Sequence, residues 1–402
     1  MPIYIIRPKA NLVSQSLSLD SRKLTLESRR QQTQEVETIY RKDITYKTLN
    51  QWAENIQGKE DIKFLKSPEK LGVTGTAIIE MSEEEAKNTQ QQLLEFSILK
   101  DQTFDLIQPD KVTTSSKSEN SLTDDDLWHL EAINHSLSCK VTGKGITIAV
   151  LDTGIDSSHP ALRGKITQSV EFDIKQGQVK QLGNSLDTDG HGTHVAGLIC
   201  GTLIGVAPDA TLLNGIMIPK GEGSLANFIM ALEWVANNPE VQIVNVSAGL
   251  PAFIPEMEEV IRDMLAVGVL PVCASGNEGC NYTRSPGNYR NVLSVGASNN
   301  QGRVWHRSSS AKININYHEY NIPHLVAPGE QVYSSVVQGG YESWNGTSMA
   351  TPIVSGVAAL LLERDPDLTV SQLRDKLLSR CKLLNQPKER QGLGLVQVGD
   401  LS

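Results

Sequence analysis

The stretch Gly145-Ile-Thr-Ile-Ala-Val-Leu-Asp-Thr-Gly154 decides the fold. Residues 146–151 form a β-rich apolar run that stops at a carboxylate followed by Thr and Gly. A strand of this kind is covered on both faces, which is the habit of parallel sheets. The pattern repeats downstream. Strands are expected at 211–218, 241–246, 270–274 and 292–295, and helices at 191–200, 224–237 and 255–267. Strands separated by helical segments of about 10 to 15 residues indicate βαβ units, so this part of the chain reads as α/β with a doubly wound parallel sheet. An apolar helix is expected from Ser348 to about residue 362. Thr369 and Gln372 then stand at capping-box spacing and predict a surface helix over 370–380.

The chain has 402 residues, room for a domain of about 270 residues and a smaller one of about 100. Hydrophobic residues at 39% and charged residues at 21% exclude a disordered, collagen-like or coiled-coil chain. With 37 Lys and Arg against 46 Asp and Glu the net charge is -9, so nucleic acid is not expected as a partner. Five scattered cysteines, Cys139, Cys200, Cys273, Cys280 and Cys381, show neither metal-ligand spacing nor the density of a disulfide scaffold. The N-terminal apolar run breaks at Arg7 without a signal core. Reduced thiols and a cytoplasmic location are therefore expected. Residues 343–362 carry no charge, but Gly346, Ser348 and Pro352 leave too short an apolar stretch for a span, and no membrane partner is expected.

A polar stretch, Lys111-Val-Thr-Thr-Ser-Ser-Lys-Ser-Glu-Asn-Ser-Leu-Thr123, reads as a linker. It separates residues 1–110, a small α+β domain, from residues 124–402. In the smaller domain strands are expected at 4–6, 76–81 and 103–107. A helix capped by Ser82 should run to about residue 96, and another should lie within 20–58.

In open parallel sheets, ligands gather outside the carboxyl ends of the strands. Three polar residues stand out there. Asp152 ends the strand in Leu-Asp-Thr-Gly-Ile-Asp-Ser-Ser-His-Pro160. His191 opens a helix in Asp-Gly-His-Gly-Thr-His-Val-Ala-Gly197, where Gly192 and Gly197 permit close backbone approach. Ser348 starts a helix in Asn-Gly-Thr-Ser-Met-Ala-Thr-Pro352. Acyl transfer by serine needs a hydroxyl, an imidazole to take its proton and a carboxylate to fix the imidazole tautomer. Taken singly, such an Asp is an ordinary turn residue and such a Ser an ordinary N-cap; together they have the composition of a catalytic triad.

In these three blocks, and in their Asp, His, Ser order, the sequence resembles the subtilases, the subtilisin-like serine proteases. A fourth block, Ala274-Ser275-Gly276-Asn277-Glu-Gly279, is similar to the family segment whose Asn donates to the oxyanion. The resemblance gives Asn277 that role, with the Ser348 N–H as second donor. It implies that Gly221-Glu222-Gly223 and Ser247-Ala248-Gly249 flank an extended polypeptide substrate bound as an extra strand. His194 is then structural. The resemblance extends more weakly to residues 1–110, which look like the intramolecular propeptide inhibitor of many subtilases, although 20–58 exceed the usual length. No cofactor or metal is expected: Ala161 replaces the family's calcium-ligating Asp, and Cys200-Gly-Thr-Leu-Ile-Gly-Val-Ala-Pro208 is too short for its calcium loop.

The leading reading is an intracellular serine endopeptidase made as a zymogen and cut between Lys111 and Asp126. A maturation protease dedicated to one peptide or protein partner, and a non-catalytic peptide-binding regulatory module, are the alternatives; the presence of all four groups weighs against the last. By family position Arg284 lies at the base of the primary specificity pocket. There its fork of donors selects an acidic side chain, or it pairs with Glu278 at the rim and shortens the pocket without choosing charge.

Overall fold

The computed structural model describes every residue except 11, 60, 71, 113, 114, 136–139, 316, 317, 400 and 402, and all but the side chain of 70. In the N-terminal unit, β1 (Ile3–Pro8), β2 (Ile62–Lys66), β3 (Ala77–Met81) and β4 (Phe96–Lys100) form an antiparallel sheet in the order β2-β3-β1-β4. Four helices accompany it: α1 (Leu12–Ser16), α2 (Leu26–Lys42), α3 (Ile44–Ile56) and α4 (Glu83–Gln92). Ser82 caps α4 by accepting from Glu85 N at 3.1 Å. The helix ends at Gln92 rather than near residue 96, because Phe96 pairs with Pro8 and buries its ring at the start of β4. Residues 20–58 hold two helices, with Asp43 between them accepting from Thr45 N at 2.7 Å.

The strand expected at 103–107 does not join this sheet. Asp105–Leu106 (β5) pairs with Ala248–Gly249 (β12), and Asp110–Lys111 (β6) pairs with Tyr341–Asn345 (β19), both in the larger unit.

That unit is built on β7 (Thr147–Asp152), β8 (Ile166–Asp173), β9 (Gln178–Gln181), β10 (Thr211–Ile216), β11 (Val241–Val246), β13 (Leu270–Ala274), β14 (Leu293–Ser298) and β17 (Leu325–Pro328). They lie in the order β17-β14-β13-β11-β7-β10-β8-β9, parallel except for the edge pair β8–β9. A hairpin, β15 (Ala311–Ile315) and β16 (His318–Ile322), and the pair β18 (Val332–Ser335) and β19 lie outside it. The helices are α5 (Trp128–Ala132), α6 (His191–Cys200), α7 (Leu225–Ala236), α8 (Pro255–Ala266), α9 (Thr347–Arg364) and α10 (Val370–Ser379). β7 sends Ala149 and Leu151 into the core under α7 and α8, and Ile148 and Val150 into the core under α6 and α9. Both faces are covered, as the apolar runs require.

One apolar cluster runs without a break from Ile5, Ile78 and Phe96 in the N-terminal unit to Phe228, Met257 and Val260 in α7 and α8. Polar groups reinforce this boundary. Arg7 NH2 donates to Asp263 Oδ2 at 2.8 Å and Tyr40 OH to Oδ1 at 2.8 Å, with the ion pair almost fully buried. Arg29 is wholly buried and reaches the carbonyls of Val235, Ala236, Asn238, Val241 and Val267. These include the ends of α7 and α8, whose last carbonyls lack intrahelical donors and favour a cation.

Three histidines hold neutral imidazoles inside the fold. Burial lowers the pKa of His129 to about 4 and of His194 to about 3; burial, with Arg374 and Arg290 nearby, lowers that of His324 to about 3. An unfolded chain protonates them near pH 6.5. Their contribution is therefore complete above that pH and is lost as pH falls toward 4, with a limiting slope of about 4 kcal/mol per pH unit for three groups. Urea midpoints measured at pH 7, 6 and 5 should fall steeply; a flat profile contradicts the neutral assignment.

Candidate active site

The three residues singled out by sequence come together at the carboxyl end of the sheet. Asp152 is the last residue of β7, His191 the first of α6, and Ser348 lies in the first turn of α9; all three are fully buried. His191 Nδ1 is 2.8 Å from Asp152 Oδ1, the arrangement of a ring N–H donating to a carboxylate. This fixes the tautomer and leaves Nε2 free to accept; Nε2 has no partner among the described residues. Close packing makes the contact possible, since a Cβ on Gly192 would lie 2.0 Å from the Gly154 carbonyl oxygen and 3.2 Å from Asp152 Cβ.

Two residues that sequence reasoning missed hold the site in shape. Asp187 accepts from Gly190 N and Thr193 N, each at 2.8 Å, and from the hydroxyls of Thr153 and Thr193. It thereby caps the start of α6 and ties it to β7. It lies three residues before the N-cap Gly190, outside the positions at which a capping residue is read from sequence. Thr347 donates through N, at 2.9 Å, and Oγ1, at 3.0 Å, to Asn277 Oδ1, which turns the Asn277 amide so that Nδ2 points outward as a donor. The Ser348 N–H stands in the first turn of α9, where helix N–H groups lack intrahelical acceptors. Ala274, Ser275 and Gly276 are buried beneath this corner, and Gly276 N donates to Thr347 Oγ1 at 3.3 Å. His194 bonds the Glu342 carbonyl at 3.1 Å and stacks on Trp344 at 4.3 Å, a structural setting.

The chain's own residues 103–111 run through the groove. Phe104 N donates to Gly223 O at 3.1 Å, Ile107 N donates to Ser247 O at 3.3 Å, and β5 pairs Leu106 with Ala248 and Asp105 with Gly249. The strand that these two segments flank is the chain's own. Gly221 lies beside the Gln108 side chain, whereas Glu222 is exposed to solvent. Phe104 stacks on Phe228 at 4.4 Å, and Phe104, Leu106 and Ile107 are buried. At the centre Ser348 Oγ reaches the Ile107 carbonyl at 3.1 Å and the Ser247 carbonyl at 3.3 Å, while Asn277 Nδ2 donates to the Gln108 carbonyl at 2.9 Å.

Arg284 donates through Nε to Glu278 Oε1 at 2.6 Å and through NH1 to the Gly249 carbonyl at 3.0 Å. Cys200, Cys273, Cys280 and Cys381 are free thiols; Cys139 lies outside the described residues. Burial pushes the Cys200 thiol up to about 12. Among the described residues no group of three or more His, Cys, Asp or Glu is placed to hold a metal ion, and no helix is long and apolar enough to cross a membrane. The stretch read as a linker is largely exposed and is anchored at Lys117, whose N donates to the Tyr341 carbonyl at 2.8 Å and whose Nζ pairs with Asp126.

Residues 143–394 match the family model described as "Subtilase family". The chain belongs to the subtilase family. It is 37% identical over 270 residues to an intracellular serine protease of Paenibacillus polymyxa, covering 63% of this chain and 79% of the relative. It is 35% identical over 277 residues to the major intracellular serine protease of Bacillus subtilis, covering 64% of this chain and 82% of the relative. Among solved structures it is similar to fervidolysin from Fervidobacterium pennivorans, with a TM-score of 0.68 at 20% identity, covering 100% of this chain and 61% of that one. That likeness concerns the fold and includes the N-terminal region. This subtilase is thus a subtilisin-like serine endopeptidase acting on polypeptides.

Proposed function

We propose that Ser348 is the nucleophile, His191 its general base and Asp152 the residue that orients His191, and that residues 103–111 hold this subtilase inactive as a zymogen. Ser348 Oγ attacks the scissile carbonyl and passes its proton to His191 Nε2; Asn277 Nδ2 and the Ser348 N–H receive the developing oxyanion. His191 then returns the proton to the leaving amine, and water hydrolyses the acyl-enzyme.

The observation that supports the inhibitory part is a mismatch of one residue. Attack requires the nucleophile and the oxyanion donors to meet on one carbonyl. Here Ser348 Oγ meets the carbonyl of Ile107 while Asn277 holds that of Gln108. The segment occupies the groove as a substrate strand does, yet presents no carbonyl to both groups. Cytoplasmic action agrees with the intracellular relatives and the free thiols. Cleavage within 111–126 remains the proposed route of release. For the primary pocket the contacts favour the second reading of Arg284: its Nε is paired with the Glu278 carboxylate and its NH1 is turned to the Gly249 carbonyl, so its charge is already balanced and it narrows the pocket without choosing an acidic side chain.

Phe104→Ala with Leu106→Ala removes two buried anchors of the segment, each contributing about 2 kcal/mol or more. Peptide hydrolysis by the full chain should rise at least about 10-fold. An unchanged rate overturns the inhibitory role; no hydrolysis by any form overturns the catalytic assignment. Separately, Asn277→Ala should lower kcat by about 100- to 1000-fold, the range known for the equivalent donor of subtilisin, with KM little changed. A loss confined to KM contradicts the oxyanion role.

A further inference from the structure

We infer that this peptidase selects an acidic residue at the second position, and a basic residue at the third, on the leaving side of the cut. The inference rests on the peptidase reading above and adds the substrate class of its leaving-side groove. Asn277 Nδ2 holds the Gln108 carbonyl, so Pro109, Asp110 and Lys111 occupy the first, second and third leaving-side positions. A productive substrate must offer its scissile carbonyl to the same amide, which puts its own second and third residues where Asp110 and Lys111 lie. There β6 extends β19, with Asp110 opposite Asn345 and Lys111 opposite Trp344.

Arg307 NH1 donates to both Asp110 carboxylate oxygens, at 2.6 and 2.7 Å. The catalytic unit itself aims this guanidinium. Its Nε donates to the Asn277 carbonyl at 3.3 Å, and its central carbon lies 5.7 Å from the centre of the Trp305 ring. A cation held in place before substrate arrives loses little freedom on binding. The next side chain, Lys111, places Nζ 4.6 Å from the ring centre of the buried Trp344, whose face attracts cations. Arg307 and Asp110 remain 45% and 42% exposed, so water and salt screen the pair. Selectivity is therefore expected at the upper end for exposed ion pairs, about fivefold for Asp over Asn.

The test uses the full chain and internally quenched peptides in which Asp is moved through the first three leaving-side positions, with Asn controls, and in which the third residue is Lys or Gln. Ratios of kcat/KM are compared, because the fraction of chain with an open groove cancels from them. For the unmodified chain Asp should surpass Asn about fivefold at the second position only, Lys should surpass Gln about twofold at the third, and the Asp advantage should shrink toward 1 in 1 M NaCl. Arg307→Gln should abolish the Asp preference and Arg307→Glu should invert it. Equal cleavage of Asp and Asn peptides, or a preference that survives Arg307→Gln, overturns the inference and leaves the peptidase reading standing. A Phe104→Ala, Leu106→Ala chain that reacts with a fluorophosphonate at Ser348 but cleaves none of the peptides also overturns it, whereas one that does neither overturns the peptidase reading beneath it.

Discussion

Ser348→Ala is expected to lower kcat on the order of 10⁶-fold, and His191→Ala by a similar amount, because nucleophile and base act as one unit in subtilisin. The site accounts for the equality. His191 Nε2 is buried with no partner among the described residues, and in the proposed mechanism it takes the proton of Ser348 and hands it to the leaving amine. Without either group the other has nothing to act on. Asp152→Asn should cost less, on the order of 10⁴-fold, since an amide at 2.8 Å from Nδ1 keeps the ring in place but no longer fixes the productive tautomer. The three losses should combine far below their sum. Steady-state hydrolysis of one peptide by the three single variants and the Ser348→Ala, His191→Ala pair checks this; losses that multiply would show that the two residues act independently.

Arg29→Ala is expected to destabilise the chain by about 3–5 kcal/mol. Arg29 is wholly buried, and its guanidinium satisfies carbonyls at the ends of α7 and α8 and at the start of β11. Truncation strips donors from several buried acceptors at once and opens a cavity, two of the recognised sources of large effects. Arg29→Lys should recover only part, because a single ammonium has three donors where the planar fork reaches five oxygens. Urea unfolding of both variants measures the difference. A loss under about 1 kcal/mol would mean that water replaces the guanidinium and that α2 is not a clamp on the catalytic unit. Residues 20–58, which exceed a compact inhibitor domain, thus have a physical role at the domain boundary.

The central sheet was legible because β7, β11 and β13 are apolar runs punctuated by helices. The proposed triad was legible because Asp152, His191 and Ser348 sit at strand and helix ends inside glycine-rich turns. What escaped reading has a common cause. β18 (VYSS) and β19 (YESWN) are short and rich in Ser and other polar residues, and β8 opens on Ile-Thr-Gln-Ser, so none of them shows the apolar run that marks the central strands. The residues 103–107 read correctly as extended, but their partner could not be seen from sequence, because the contact between Gln108 and Asn277 spans 169 residues. Arg307 had no motif around it. Only the groove strand beside it shows what it touches.

The most direct measurement is fluorophosphonate labelling of the intact chain and of the Phe104→Ala, Leu106→Ala variant, with the adduct mapped by mass spectrometry. The account predicts a single adduct on Ser348, absent from Ser348→Ala and formed at least about 10-fold faster in the variant than in the intact chain. An adduct on another residue, no adduct in either form, or equal rates in both would contradict a triad nucleophile held back by the chain's own N-terminal segment.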